Sequence, residues 1–209
     1  MVKGEIEYYL LQKNQTAAGI DEVGRGCLAG PVYAAAAILD YDALVSLPAK
    51  VREKIRDSKT LSKKQRGEMI SVVKEISSAW AISCASVPEI ENLGIVGATF
   101  LAMKRSLSDL NKPFDCLLID GNRPLEGYNG EQKTVVKGDQ LCYCIAAASI
   151  LAKEARDQYM REQAESYPGY GFDSHVGYGT KAHLEAVKKH GACSLHRRNF
   201  APIRDYARN

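Results

Sequence analysis

The chain has 209 residues, 45% of them hydrophobic, and carries 28 Lys and Arg against 25 Asp and Glu for a formal net charge of +3. That length supports one full core, so a single domain over 1–209 is the default, and the charge balance is too even to announce a nucleic-acid partner by itself. The longest apolar run, Val32 to Leu39, is too short to span a bilayer and MVKGEIEYYLLQKNQ lacks a signal-peptide layout, so a cytoplasmic protein without a membrane partner is expected.

No internal repeat or low-complexity tract interrupts the chain, and its apolar periodicity changes type several times, which predicts a mixed α/β fold. TAAGIDEVG and GPVYAAAAILD read as neighbouring strands, separated by a turn over Gly24, Gly26, Gly30 and Pro31. Asp21 and Glu22 fall on the first of them. LSKKQRGEMISVVKEISS follows, with Ser62 and Gln65 as a capping box and Met69, Ile70, Val73 and Ile76 at helical spacing. AWAISCASV predicts a strand, Pro88 and the run IVGATFLAMKRSLSDL a helix stopped before Pro113, and DCLLID a buried strand. That strand delivers Asp120 to its C-terminal edge, where α/β sheets place ligands.

TVVKGD is a weaker strand or loop ending at Asp139, and CIAAASILAKEARDQYMREQAESYP is a long Ala-rich helix. Beyond about residue 168 come a Gly/aromatic loop, a helix capped by Thr180 and closed by Gly191, and a basic terminal segment: a C-terminal helical extension over about 169–209 on a core of about 1–168. The six cysteines include no C-x-x-C pair and are expected to be buried free thiols.

Four acids thus stand at element ends: Asp21, Glu22, Asp120 and Asp139. Converging carboxylates repel, and a divalent cation relieves that repulsion; oxygen-only donors favour magnesium or manganese over zinc. Two such ions about 3.5–4 Å apart suit phosphodiester hydrolysis. Strand-end acids are equally at home as turn and cap residues, so spacing alone leaves both readings open. Adjacent strand residues also face opposite ways, so Asp21 and Glu22 share a site only if the backbone bends near Gly24 and Gly26 or Glu22 uses its carbonyl oxygen.

The ordered blocks GIDEVGRGCLAGPV, DSKTLS, LLIDGN, KGD, AAASILAKEARD, GYGTKAHL and HRRNF together resemble bacterial ribonuclease HII, from residue 19 to about 202. The resemblance implies a ribonuclease H-like fold: a mixed central sheet flanked by helices with a C-terminal helical portion over the cleft. It implies an endonuclease that cuts the RNA strand of RNA–DNA hybrids and incises 5′ of single ribonucleotides in duplex DNA, using two Mg2+ or Mn2+ ions and leaving 3′-hydroxyl and 5′-phosphate ends. By the same resemblance Asp21, Glu22, Asp120 and Asp139 are the catalytic and metal-binding set. Gly24, Arg25 and Gly26 correspond to the segment that senses the ribose 2′-hydroxyl, and Tyr178 to the tyrosine that packs on the next sugar. Lys59, Lys153, Arg197 and Arg198 stand in matching blocks as candidate phosphate contacts.

Ser149 either donates to phosphate or bonds back to its own helix, and His175 and His183 carry no assigned role. The sequence departs from the family at Val176, where a lysine is usual, which puts one phosphate contact in doubt. About twenty residues precede the DEVGRG block, so the extra N-terminal domain of the ribonuclease HIII branch is not expected. The protein is expected to be a monomer, and APIRDYARN shows no evident sliding-clamp peptide. Rival readings are another ribonuclease H-like nuclease with a different substrate, or a duplex-binding protein that has lost catalysis.

Overall fold

The computed structural model describes residues 3–55 and 62–206. In chain order its elements are α1 (Glu5–Gln12), β1 (Ala17–Val23), β2 (Val32–Leu39), α2 (Tyr41–Ser46), α3 (Ala49–Arg52), α4 (Lys63–Glu75), β3 (Ser77–Ala85) and α5 (Val87–Asp109). Then follow β4 (Cys116–Asp120), β5 (Glu131–Val135), α6 (Gly138–Leu141), α7 (Tyr143–Ser166), α8 (Phe172–His175), α9 (Lys181–His190) and α10 (Ile203–Tyr206). The five strands form one mixed sheet in the order β3-β2-β1-β4-β5. β1–β2 and β2–β3 are antiparallel, whereas β1–β4 and β4–β5 are parallel.

Strand alternation divides the core in two. Ala17, Val23, Cys116 and Leu118 pack with α7, with Met69 and Val73 of α4 and with Ile76 at its C-cap, while Ala18, Ile20, Leu117 and Ile119 face α5. The alanine run of β2, Ala34 to Ala37, is fully buried, and its small side chains let helices on both faces approach the sheet closely. The segment beyond α7 packs a third cluster, in which Tyr170, Phe172, Val187, Leu195 and Ile203 gather on Met160 near the end of α7 and on Leu28 and Ala29. This clustering brings the C-terminal elements against the loop that follows β1.

Several boundaries differ from the sequence reading. The helix predicted from Pro88 and the run after Gly94 begins at Val87, with Pro88 inside its first turn and a capping box from Ser86 to Glu89. Gly94, at φ 70° and ψ 166°, kinks this helix, so the apolar periodicity is clear only in its second half. β5 ends at Val135, four residues before the Asp139 at which the predicted segment stopped, and Asp139 lies in α6 instead. α1 was unread because its N-cap is Gly4 in a left-handed conformation with no side-chain cap. The short α2 is capped by Asp40, whose carboxylate accepts from the Asp42 and Ala43 amides.

Candidate active site

The parallel pairing of β1 with β4 builds the site. Ile20 is aligned with Ile119 and both face α5, so the next residue on each strand, Asp21 and Asp120, comes side by side on the α7 face at one edge of the sheet. Asp21 is buried at 7% exposure; its carboxylate accepts from the Glu22 amide at 2.7 Å and from the Ser149 hydroxyl on α7. Burial, followed by the neighbouring charges of Glu22 and Asp120, pushes the Asp21 carboxyl well above the usual carboxylate range. Ser149 is itself buried, and its hydroxyl is aimed at the acid.

Asp120 Oδ1 accepts from the Gly138 amide at 2.7 Å, which ties the start of α6, and with it Asp139, to the end of β4. Asp139 is itself 7% exposed, and its backbone carbonyl accepts from Lys3 Nζ. Glu22 turns to the other face, as strand alternation requires, and pairs with Arg25 at 3.0 Å. It still meets Asp120 at the sheet edge, because both line one small cavity of about 170 Å3 together with Arg25, Thr99 and Asn122. The opposing directions of Asp21 and Glu22 are thus reconciled at the strand terminus, where Asp120 is reachable from either face.

Among the described residues, no three His, Cys, Asp or Glu side chains converge tightly enough to hold an ion as they stand. Asp21, Glu22 and Asp120 each engage protein donors instead: an amide and a hydroxyl, a guanidinium, and an amide. As a donor set they fit a hard divalent cation, since the donors are oxygens only and a cation at this edge offsets the mutual repulsion that Asp21 experiences.

The loop after β1 approaches the same edge. Gly24 has φ +91°, and a Cβ there would lie 2.2 Å from Arg156 Nε, so only glycine fits; a Cβ on Gly26 would meet nothing within 4 Å. Arg25 projects outward, its carbonyl held by Arg197 Nη1 at 2.9 Å. Tyr178, 39% exposed in the loop between α8 and α9, has its hydroxyl bonded to the buried Cys27 and lies beneath Lys153 Nζ, 5.5 Å from its ring centre. Lys153 also pairs with Asp157 at 2.7 Å.

Arg197, expected at a phosphate, requires correction. It is fully buried, with Nε on the Gly30 carbonyl and Nη1 on the Arg25 carbonyl, so it holds the loop rather than presenting a charge to solvent. Burial, the largest influence, lowers its pKa to about 10. Arg198 is exposed and its amide donates to Glu91. Lys59 lies outside the described residues.

Sequence reasoning missed Arg156, a fully buried guanidinium that donates to the carbonyls of Ala29, Pro31 and Val176. Its place in a helical stretch rich in charged residues gave no sign that it points inward. It also missed the imidazole network behind Tyr178. His183 Nδ1 donates to the Tyr178 carbonyl at 2.9 Å, His196 Nε2 donates to His183 Nε2 at 3.0 Å, and His196 Nδ1 accepts from the Cys193 amide at 3.0 Å. Each bond fixes the next tautomer, so both rings are neutral and structural.

The family model for ribonuclease HII matches residues 18–203. The chain is 50% identical over 188 residues to a ribonuclease HII of Prochlorococcus marinus strain SARG, covering 90% of this chain and 97% of that one. It is 48% identical over 198 residues to a ribonuclease HII of Nitrosomonas europaea, covering 94% and 88%. Among solved structures, the ribonuclease H2 of Pyrococcus horikoshii superposes with a TM-score of 0.74 at 22% identity, covering 92% and 97%. Bst-RNase HIII in complex with Mn2+ superposes with a TM-score of 0.69 at 19% identity, covering 92% of this chain and 69% of that one. With its mixed sheet, its strand-edge acids and these matches across nearly its whole length, the chain belongs to the ribonuclease HII family of RNA–DNA hybrid endonucleases.

Proposed function

We propose that this enzyme incises duplex DNA on the 5′ side of an embedded ribonucleotide, as well as the RNA strand of longer hybrids, leaving 3′-hydroxyl and 5′-phosphate ends. The observation that carries this reading is the meeting, at one sheet edge, of the Asp21–Asp120 pair with the Gly24–Gly26 loop and the half-exposed Tyr178 ring.

Each part has a chemical task. Asp21, Glu22, Asp120 and Asp139 would hold two divalent cations, which when bound promote deprotonation of an attacking water and offset charge on the scissile phosphate and the leaving oxygen. Ser149 favours the ionised form of Asp21 by donating to it, and so offsets part of the burial that favours protonation. Arg25, paired with Glu22, is placed to change partner from carboxylate to phosphate when substrate arrives.

The open space beside Gly26 allows a sugar to come close to backbone groups, where a 2′-hydroxyl can both donate and accept. Tyr178 offers a flat ring to the following sugar, and its carbonyl is fixed from behind by His183. The exposed Arg25 and the lysine-bearing face of α7 supply positioning contacts to the backbone.

The substrate reading is tested by comparing two duplexes that differ in one 2′-hydroxyl. Cleavage confined to the ribonucleotide-containing duplex is the expected result; equal cutting of both would favour a general ribonuclease H-like nuclease.

Val176 offers a second check. It lies in the left-handed region at φ 43° and lines a groove with Lys153, Arg66 and Tyr178. Val176→Lys is expected to add one phosphate contact and steepen the dependence of log Kd for hybrid on log salt by about 0.9. Binding titrations at several salt concentrations read this slope, and an unchanged slope would place residue 176 away from the substrate.

A further inference from the structure

We propose that Arg156 is a positioning residue that sets the distance between the Gly24–Gly26 loop and Tyr178, and so determines how strictly the enzyme demands a ribonucleotide followed by a deoxyribonucleotide. The inference rests on the substrate reading above and goes beyond it by assigning specificity to a buried residue that touches no substrate.

Arg156 leaves α7 from a buried position in its second half and lies under the loop. Its Nε donates to the Pro31 carbonyl at 3.1 Å and its Nη2 to the Ala29 carbonyl at 3.0 Å, which fastens the chain just after the glycines. Its Nη1 donates to the Val176 carbonyl at 2.8 Å, two residues before Tyr178, and its guanidinium carbon lies 5.9 Å from the Tyr178 ring centre. One rigid fork therefore spans the two substrate-facing loops. Direct backbone bonds from the Leu28 and Ala29 amides to the Gly177 carbonyl complete the junction.

The electrostatics point the same way. Among the described residues no carboxylate forms an ion pair with Arg156, and its positive charge lies close enough to the buried Arg197 to disfavour the ionisation of Arg197. A fully buried guanidinium satisfied only by carbonyls is a costly way to fill a core position that an apolar side chain could occupy. What an apolar side chain cannot do is bond three carbonyls from two loops in one plane. The Gly24 constraint follows from the same contact, since any Cβ there would strike the Arg156 side chain.

The spacing between the two loops matters because one meets the ribose and the other the next sugar. A shift of about 1 Å between them misplaces the junction relative to the acids, and such shifts cost up to about a hundredfold in rate.

The test is Arg156→Lys, which keeps the charge and loses the planar fork, with Gly177→Ala as a second variant. A Cβ at Gly177 would lie 2.5 Å from the Ala29 carbonyl oxygen and would separate the same two loops from the other side. For each protein, cleavage is measured on a duplex with a single ribonucleotide and on a hybrid with a continuous RNA strand, alongside a thermal melt.

The ratio of the two rates is expected to fall by about tenfold in either variant that is folded at the assay temperature. KM on the continuous hybrid should change by less than about twofold, because the phosphate contacts remain. A purely structural role would lower both rates equally and leave the ratio unchanged; that result in a folded variant, or failure of both variants to fold, overturns the proposal. Absence of ribonucleotide-directed cutting by the unmodified protein would instead overturn the substrate reading itself, and is seen before any variant is made.

Discussion

Asp21→Asn is expected to abolish cleavage and, in the same protein, to raise the melting temperature. Asp21 is buried and its ionised form is opposed first by desolvation and then by Glu22 and Asp120. An amide of the same shape keeps the oxygen that accepts from the Glu22 amide, and removes the charge that the fold must otherwise accommodate. The expected gain is about 1–2 kcal/mol at neutral pH, or about 2–8 °C in a chain of this size. Activity in either metal should fall about a thousandfold, since an amide is a poor ligand for a hard cation. Calorimetry with a cleavage assay checks both halves. A variant that retains full activity, or one that melts lower than the parent, would contradict the assignment.

Acidification should unfasten the C-terminal layer before it protonates most surface carboxylates. His183 and His196 are fully or almost fully buried, and desolvation is the main cause that lowers each pKa from its usual 6.5 to about 4. For a base held below its unfolded value, the unfolded chain binds the extra proton. The contribution of these rings is therefore fully present above pH 6.5 and is lost as pH falls from 6.5 towards 4.

The expected slope is about 1.4 kcal/mol per pH unit for each ring that stays neutral. Asp21, whose carboxyl is raised, works in the opposite direction, gaining stability as pH falls. Denaturant unfolding at pH 7, 6 and 5 reads the sum, and His196→Gln should flatten the curve by removing one imidazole. If the parent and the variant lose stability in parallel, the rings do not titrate in this window. Because His183 holds the Tyr178 carbonyl, loss of ribonucleotide discrimination is expected to accompany the stability loss.

How much of this was legible in the sequence follows from what each residue needs. Asp21, Glu22 and Asp120 were readable because short apolar runs announce buried strands, and a carboxylate that ends such a run marks a sheet edge. That Asp21 and Asp120 become direct neighbours depends on the parallel register of β1 with β4, which joins segments almost a hundred residues apart and leaves no local trace. Ser62 and Ser86 both carry capping-box patterns, but Gly94 interrupts the periodicity behind the second and blurs where its helix begins.

Arg156 and Arg197 were illegible for a different reason. Long cationic side chains are ordinarily solvent-exposed, and only the tertiary approach of the loop carbonyls makes their burial tolerable. The roles of His183 and His196 are not legible locally, because their tautomers and contacts are set by two segments, 178–183 and 193–196, that meet only in the fold.

The central claim is tested most directly by mapping the ends produced from a DNA duplex with one ribonucleotide, in magnesium, in manganese and after chelation. The account predicts one metal-dependent nick on the 5′ side of the ribonucleotide, with a 3′-hydroxyl on one fragment and a 5′-phosphate on the other. A nick that persists without divalent metal, or one that leaves a cyclic phosphate formed by the ribose 2′-hydroxyl, would contradict it.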